Sequence, residues 1–423
     1  MAKNPDTAHI IAGEIMQGHR FVTVTDTKEI YHYDPTIGVY RPLGDRVIDK
    51  LAEIALADKS SNNLVAEVLG KIRRRTYVDR SAFDADDNLL VVGNGILNLE
   101  TRELSPHTPD YLALRSIPVN FDPEAGCPTI RRFFDEVIAP ADREDFDRFL
   151  GYLLIPDNRY KRALVLVGRS SGTGKTTTLR LLSRLLGFQN VSGETIQYLC
   201  DDRFSTSKLE GAIANIADDL SALGIHVPAK LKELTGNLDL TRGERKNFPC
   251  FYFKLRSKLI FACNLLPPAL KADSVYYERW VIVELPNQFT QGKADGDCRI
   301  ADTTLLTRME EELPGLLNLA LDQRDSLIRN NGFTGPPDGL TKQRYLAFTG
   351  DMLYYYLMSE VVQDPQGVVP RALLYAHYEY FCQQSSVPPE SEERLARRLK
   401  ETFPGLQDCY LNKERAWKGI SIN

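Results

Sequence analysis

The sequence lacks any apolar run approaching the roughly 20 residues that a membrane-spanning helix requires. Its first residues, MAKNPDTAHIIAGE, contain no apolar signal-peptide core, so a cytoplasmic protein with no membrane partner is expected. No C-x-x-C pair occurs, and the seven cysteines are scattered. That spacing argues against a structural zinc site and for a reducing compartment. There is no excess of positive charge either: the formal net charge is −5, so any contact with nucleic acid has to come from local basic segments. What remains is the composition of a globular protein, 43% hydrophobic and 26% charged, in 423 residues that suggest two or three domains.

One stretch carries a chemical signature: RALVLVGRSSGTGKTTTLRLLSRLLG, Arg162 to Gly187. The continuous apolar run Ala163 to Val167 reads as a strand buried on both faces. Small residues follow, then Gly174-Lys175-Thr176. Beyond them Leu179, Leu182, Leu185 and Leu186 recur at helical spacing, with Gly187 placed to end the helix. Strand, glycine-rich loop and helix N-terminus make an anion site, because unpaired backbone N–H groups and the helix dipole both favour negative charge. Lys175 adds a cation for the β- and γ-phosphates, and Thr176 a hydroxyl for Mg²⁺. The fit to G-x-x-x-x-G-K-[ST] is imperfect. The first position falls on Arg169 and the glycine sits one place earlier, at Gly168, while Gly172 keeps the loop pliable. Gly168, Gly172, Thr173, Gly174, Lys175, Thr176 and Thr177 are the expected nucleotide-binding residues; the competing reading is a glycine-rich turn with an incidental lysine.

The region up to about Pro128 shows no catalytic constellation. FVTVTDTKEIYHYDPTIGVY alternates as a hairpin turning between Asp34 and Gly38; Arg46 to Ala57 and Asn63 to Arg75 read as amphipathic helices; Gly93-Asn94-Gly95 marks a turn between short strands. Ile130 to Ile155 reads as helices broken at Pro140. Downstream of the glycine-rich loop come three further apolar runs, Ala212 to Ala217, Lys258 to Cys263 and Trp280 to Leu285. Strands alternating with helices predict a mostly parallel sheet with ligands at the carboxyl ends of its strands.

Those ends carry polar groups. Asp218-Asp219 follows the first run; an acid there can hold Mg²⁺ through water and a neighbour can orient the attacking water, although Asp also caps helices. Asn264 follows the second run, placed either to bond a γ-phosphate or to open a turn before Pro267-Pro268. Arg279 precedes the third, as an arginine finger acting on a neighbouring subunit's nucleotide or as an ion-pair partner of Glu278. Between them, Leu238 to Arg242 and Phe248 to Leu255 read as two strands joined through Gly243 to Asn247. This hairpin has a basic tip, Arg245-Lys246-Asn247, and an aromatic base, a pairing used by binders of single strands and also compatible with a solvated surface hairpin.

The order GTGKT, Asp218-Asp219, basic hairpin, Asn264, Arg279 resembles the hexameric superfamily 3 helicases, a branch of the AAA+ ATPases that includes the papillomavirus and poxvirus replicative helicases. The phrases NGILNLETRELSPH, FDPEAGCPTIRRFF, DRFSTSKLEG, LKELTGNLDLTRGERK and FACNLLP are similar to those of phage and plasmid primase–helicases. The resemblance spans nearly the whole chain. It implies an α/β fold: a small α+β domain over residues 1–128, an AAA+ P-loop ATPase core over 129–340 with a mostly parallel sheet and helices on both faces, and a winged helix over 341–423. It implies ATP and Mg²⁺ as cofactors, with Thr176 and Asp218 on the metal and Lys175, Asp218, Asp219, Asn264 and Arg279 in catalysis. Lys246 would be the pore-loop lysine. No segment is left to house a primase.

The last region fits that ending. RYLAFTGDMLYYYLMSEVV, Val369 to Gln384 and Ser391 to Phe403 read as three helices, the third bearing Arg394, Arg397, Arg398 and Lys400; two short strands then flank the basic turn Lys413 to Arg415. A third helix of this kind enters the major groove, with Arg397, Arg398 and Lys413 as DNA contacts, and a protein-docking module is the alternative. The expected protein is an ATP-dependent hexameric DNA helicase of a phage, plasmid or integrated mobile element. Its partners would be single-stranded and forked DNA, further copies of itself, and a separate primase or polymerase. An origin-binding initiator or loader that uses ATP as a switch, and a small-molecule kinase, are the competing classes.

Overall fold

A computed structural model of the chain describes residues 6–218, 220, 228–236, 240–266, 273–290, 299–333, 341, 344–345, 348, 352–384 and 389–422. It is a mixed α/β protein in two compact units. The larger takes the described residues within Met1–Leu220, Val227–Asn264 and Arg279–Gly335; the smaller takes those within Leu265–Glu278 and Pro336–Asn423. Among the described residues no helix is long and apolar enough to cross a membrane.

The larger unit begins with helices Thr7–Gly18, Gly44–Leu56 and Asn62–Arg75 around strands β1 (Phe21–Val24), β2 (Ile30–Asp34), β3 (Val39–Arg41) and β4 (Tyr77–Val78), in the order β3-β2-β1-β4. The apolar positions of the helices, among them Ile11, Ile15, Ile48, Val68 and Ile72, close one core with Phe21 and Ile30. The β2–β3 hairpin turns between Asp34 and Val39 as the alternation predicts, with Gly38 at φ +72. A second sheet, β7-β6-β5-β8, is built from β5 (Leu89–Val92), β6 (Gly95–Asn98), β7 (Leu104–Ser105) and β8 (Ser116–Ile117). Its β5–β6 turn is held by Asn94, whose side chain donates to the Phe121 carbonyl at 3.0 Å and accepts from the Phe121 N–H at 2.9 Å.

The main sheet has the order β10-β11-β14-β9-β15: β9 (Ala163–Val167), β10 (Val191–Ser192), β11 (Ala214–Ala217), β14 (Lys258–Cys263) and β15 (Trp280–Glu284). Every pairing in it is parallel. Strands β9 and β14 are buried along their whole length, which is why they read as unbroken apolar runs. Helices Pro128–Val137, Arg143–Leu153, Lys175–Leu186 and Leu313–Arg329 contribute Phe134, Phe149, Leu182 and Leu317 to a core shared with Leu164, Ile260 and Val283 of the sheet and with Val92 and Leu97 of β5 and β6. Between β11 and β14 the chain forms helix Pro228–Leu234 and the antiparallel pair β12 (Thr241–Gly243) and β13 (Phe251–Phe253). These paired strands are shorter than the sequence suggests, leaving a wide loop from Glu244 to Cys250. A two-stranded parallel pair, β16 (Phe289–Thr290) and β17 (Arg299–Ile300), follows β15.

The smaller unit contains helix Ser274–Glu278 and, further along the chain, the order helix Met352–Glu360, strand β18 (Val361–Pro370), helix Arg371–Gln384, helix Glu392–Thr402, strands β19 (Gln407–Leu411) and β20 (Glu414–Ile422). The sheet order is β18-β20-β19. Strand β18 is absent from the sequence-based expectation, which runs one helix through Val362 and begins the next at Val369. Two features hide it. Pro365 and Gly367 interrupt its pattern, and its register against β20 breaks between Gln363 and Val368; an edge strand tolerates both. Helix Arg371–Gln384 starts only after Pro370. The β19–β20 hairpin turns on Asn412 and Lys413, both at positive φ as a two-residue hairpin loop demands.

The crossing of helices Arg143–Leu153 and Leu313–Arg329 depends on Gly151. A methyl group there would lie 2.3 Å from the Arg324 nitrogen. Gly151→Ala is expected to destabilise the folded chain by about 1–3 kcal/mol through overpacking, read as a lower denaturation midpoint at constant slope.

Candidate functional site

The loop Gly168 to Gly174 leaves the carboxyl end of β9 and delivers the chain into helix Lys175–Leu186. Its bends are made at Gly172, φ +73, and at Gly174, φ +93, which is the residue just before the helix. Both are also tight. A Cβ on Gly172 would sit 2.4 Å from the Phe289 carbonyl oxygen, and one on Gly174 would sit 2.9 Å from Val137. Gly168, the glycine one place out of motif, has a separate reason. A Cβ there would meet the Thr173 hydroxyl at 2.2 Å and the Lys175 ammonium at 3.1 Å. The displaced glycine is therefore what lets the lysine fold back over the loop.

Lys175 donates to the carbonyl oxygens of Gly168 at 2.6 Å and Ser170 at 3.1 Å, to the Thr173 hydroxyl at 3.3 Å and to the Asn264 side-chain oxygen at 2.9 Å. Asn264 comes from the carboxyl end of β14, 89 residues along the chain and next to β9 in the sheet. Loss of solvation lowers the Lys175 pKa below the ordinary lysine value. Asp218 follows β11, on the far side of β14, and is exposed. At about 4.8 Å per strand it lies roughly 10 Å from the β9 line, a gap that a hydrated cation can bridge. Asp219 lies outside the described residues. Thr176 and Thr177 open the helix, Thr176 exposed to the cleft.

The loop forms one side of an open cleft of about 660 Å³. Its other lining includes Phe133 and Val137 of helix Pro128–Val137, Phe289 of β16, Leu305 and Leu306 of helix Leu305–Glu311, and the polar side chains Glu136, Arg180 and Asp302. Sequence reasoning missed all of these. Phe133 and Val137 lie about 40 residues before the motif, in a helix legible only as core, and Phe289 follows the last sheet strand in a short segment without pattern. Helix Pro128–Val137 is held in place by Glu312, whose carboxylate accepts from the Thr129 N–H at 2.9 Å and the Ile130 N–H at 3.0 Å. This satisfies two of the N–H groups a helix start leaves open.

Arg279 is not at this site. It opens β15, its carbonyl accepts from Ala163 N–H at 2.7 Å, and its guanidinium reaches the Lys161 carbonyl at 3.5 Å. It therefore stands at the amino edge of the sheet, whereas the glycine-rich loop leaves the carboxyl edge. Five strand residues, roughly 16 Å, separate the two edges.

The basic hairpin is divided. Lys246, Asn247 and Phe248 are exposed in the loop, Asn247 with φ +67 and Phe248 48% exposed. Arg245, expected at the tip, is instead half-buried at its base. It donates to both carboxylate oxygens of Glu29 at 2.7 Å and also pairs with Glu210. Two carboxylates pull the guanidinium inward, so its charge is already committed. In the smaller unit Arg397 is exposed on helix Glu392–Thr402, Arg398 pairs with Glu401 at 3.5 Å and lies over the Tyr354 ring, and Lys413 is exposed in the hairpin turn.

Two family models match the chain. Residues 8–139 match the family described as D5 N terminal like, and residues 166–279 match a family of unknown function, DUF5906. The fold is like that of the NrS-1 C-terminal region. The apo structure of residues 305–718 of NrS-1 superposes with a TM-score of 0.53 at 11% identity, covering 99% of this chain and 100% of that one. Two A-form apo structures of the same region give 0.50 at 11% identity (99% and 100% covered) and 0.51 at 12% identity (97% and 99% covered). At such identity the likeness is one of fold. No curated protein matches the chain.

The loop's geometry makes Gly172 hard to replace. Gly172→Ala should cost about 1–3 kcal/mol of stability, from left-handed strain and the close Phe289 carbonyl together, measured by denaturant unfolding against the wild-type chain.

Proposed function

We propose that the protein is an ATP-dependent DNA helicase of the superfamily 3 kind, acting in replication of a phage, plasmid or other mobile element as a ring of subunits, six by analogy with that family. The observation that carries the reading is the 2.9 Å contact between the Lys175 ammonium and Asn264 across adjacent parallel strands. A lysine and an uncharged amide held together beside a helix N-terminus are what an enzyme that cleaves a terminal phosphate needs. The D5 N terminal like match over residues 8–139 and the fold of the NrS-1 C-terminal region support a replicative primase–helicase setting.

The residues present fit a magnesium nucleotide. The cleft has the volume of a small-molecule site, its floor offers the open N–H groups of Gly174 to Thr177, and its walls mix Phe133, Val137 and Leu305 with polar groups. Thr176 and Asp218 would hold Mg²⁺, which would supply charge neutralisation for the bound phosphates. Lys175 leaves the Gly168 and Ser170 carbonyls to bind the anion. Its depressed pKa marks a partly desolvated ammonium, and a phosphate partner would push that pKa back up by stabilising the charged form. Asn264 orients the attacking water or the γ-phosphate. Asp219 would be the second acid.

Arg279 faces away from its own chain's cleft, so a role in hydrolysis requires a neighbouring copy, with AAA+ packing around a ring. The exposed loop Lys246 to Phe248 would follow one strand's phosphates and bases. The helix–strand–helix–helix–strand–strand order of residues 352–422 supports a winged helix, with Arg397 and Lys413 on the surface that would meet duplex DNA.

The deciding experiment is strand displacement on a forked DNA with ATP and with a non-hydrolysable analogue. No displacement with ATP, alongside intact duplex binding, would favour an initiator or loader instead. Lys175→Ala should lower ATP turnover roughly 10²-fold or more, in a phosphate-release assay. Arg279→Ala should lower it by about 10³ to 10⁵ while leaving nucleotide binding intact, and mixing it with the Lys175→Ala protein should restore part of the turnover; no rescue at any ratio would remove the shared site.

A further inference from the structure

The hairpin β12–β13 is gripped at both legs by the segment that precedes the nucleotide-binding strands. On the first leg Arg245 lies in a half-buried charge lattice. Its guanidinium bonds Glu29 at 2.7 Å and Glu210; Glu210 also pairs with Arg80; and Arg80 holds Asp26 through two bonds of 2.8 and 2.9 Å. The Glu210 side chain is only 7% exposed, and burial raises its pKa. Both guanidiniums lie over the ring of Phe251, on β13, Arg80 4.5 Å and Arg245 5.1 Å from its centre. On the second leg Arg256 donates to the Asp87 carboxylate at 2.7 Å and to the Asp84 carbonyl at 3.0 Å, with Lys254 3.7 Å from Asp87. Five of these partners, Asp26, Glu29, Arg80, Asp84 and Asp87, belong to the first hundred residues. The remaining one, Glu210, lies four residues before β11, the strand that Asp218 follows.

We infer that Arg245 is not a nucleic-acid contact but, with Glu29, Glu210 and Arg80, a positioning residue. Together they fix the base of the hairpin so that the loop Lys246 to Phe248 is presented from a rigid mount. Three carboxylates and two guanidiniums share the site, so each guanidinium is already neutralised and a strand phosphate gains nothing from Arg245 in this arrangement. The buried pairs instead raise the cost of tilting the hairpin, because any movement of Arg245 takes from Glu210 one of its two guanidinium partners, and from Glu29 its bidentate one, in a poorly solvated place. Residues 6–120 then act as the frame that carries the hairpin. The strand-tracking role of that loop rests on the helicase reading above; the anchoring does not.

Two readouts separate these. Amide hydrogen exchange of residues 241–253 is measured in the full chain without DNA, for the wild type, Glu29→Gln, Glu210→Gln and Arg245→Gln. Each variant should speed exchange across the hairpin by at least about tenfold while leaving β9, β14 and β15 unchanged, and Glu29→Asp should restore part of the protection. Unchanged protection in both glutamine variants of the acids overturns the anchor. Binding of an oligo-dT strand is then titrated against salt. Anchoring predicts that Glu29→Gln and Arg245→Gln weaken it in the same direction with the same salt slope. If Arg245 touched phosphate, Arg245→Gln would lower the slope by about one and Glu29→Gln, by freeing a cation, would tighten binding; that pattern overturns the proposal. A wild-type chain that binds no oligo-dT refutes the helicase reading, and the exchange result still decides the anchor.

Discussion

Strand β14 is the constraint on which the rest depends. It runs between β9 and β11, fully buried, and all three point the same way. Parallel pairing puts their carboxyl ends on one edge, so a lysine, an amide and an acid that lie 43 to 89 residues apart in sequence arrive together. Shift β14 by one residue and its apolar set would reverse faces while Asn264 moved away from Lys175. The site is thus specified by sheet register first and by side-chain chemistry second.

Much of this was legible in the sequence because burial and chemistry coincided there. Ala163 to Val167, Lys258 to Cys263 and Trp280 to Glu284 are strands buried on both faces, and uninterrupted apolar runs are what such strands must be. Gly174-Lys175 follows one of them and Asn264 another, so locating the strands located the groups. The helix starting at Lys175 and ending before Gly187 follows from leucine spacing and a left-handed stop, and the structure has it over those residues.

The parts that escaped share a physical cause: they are fixed by contacts distant in sequence. Arg245 sits in a basic run, and only folding reveals that Glu29 and Glu210 lie beside it. Phe133 and Phe289 are ordinary apolar residues until the cleft gives them a common wall. Strand β18 carries Pro365 and Gly367, which local preference assigns to a loop; it pairs because β20 supplies a long partner and the register can break once. Arg279 shows the converse: a residue that precedes a strand of a parallel sheet lies at its amino edge, away from its own chain's glycine-rich loop, and that much follows from sequence order alone.

The capping of helix Pro128–Val137 by Glu312 has an electrostatic result for the cleft. The positive pole of that helix is neutralised at its far end, while its last residues, Glu136 and Val137, line the cleft with the negative pole. Helix Lys175–Leu186 brings its positive pole to the same space, uncapped by any side chain and reinforced by the lysine. The cavity therefore carries a built-in field gradient. An elongated guest with one anionic end is turned the same way round before any specific hydrogen bond has formed.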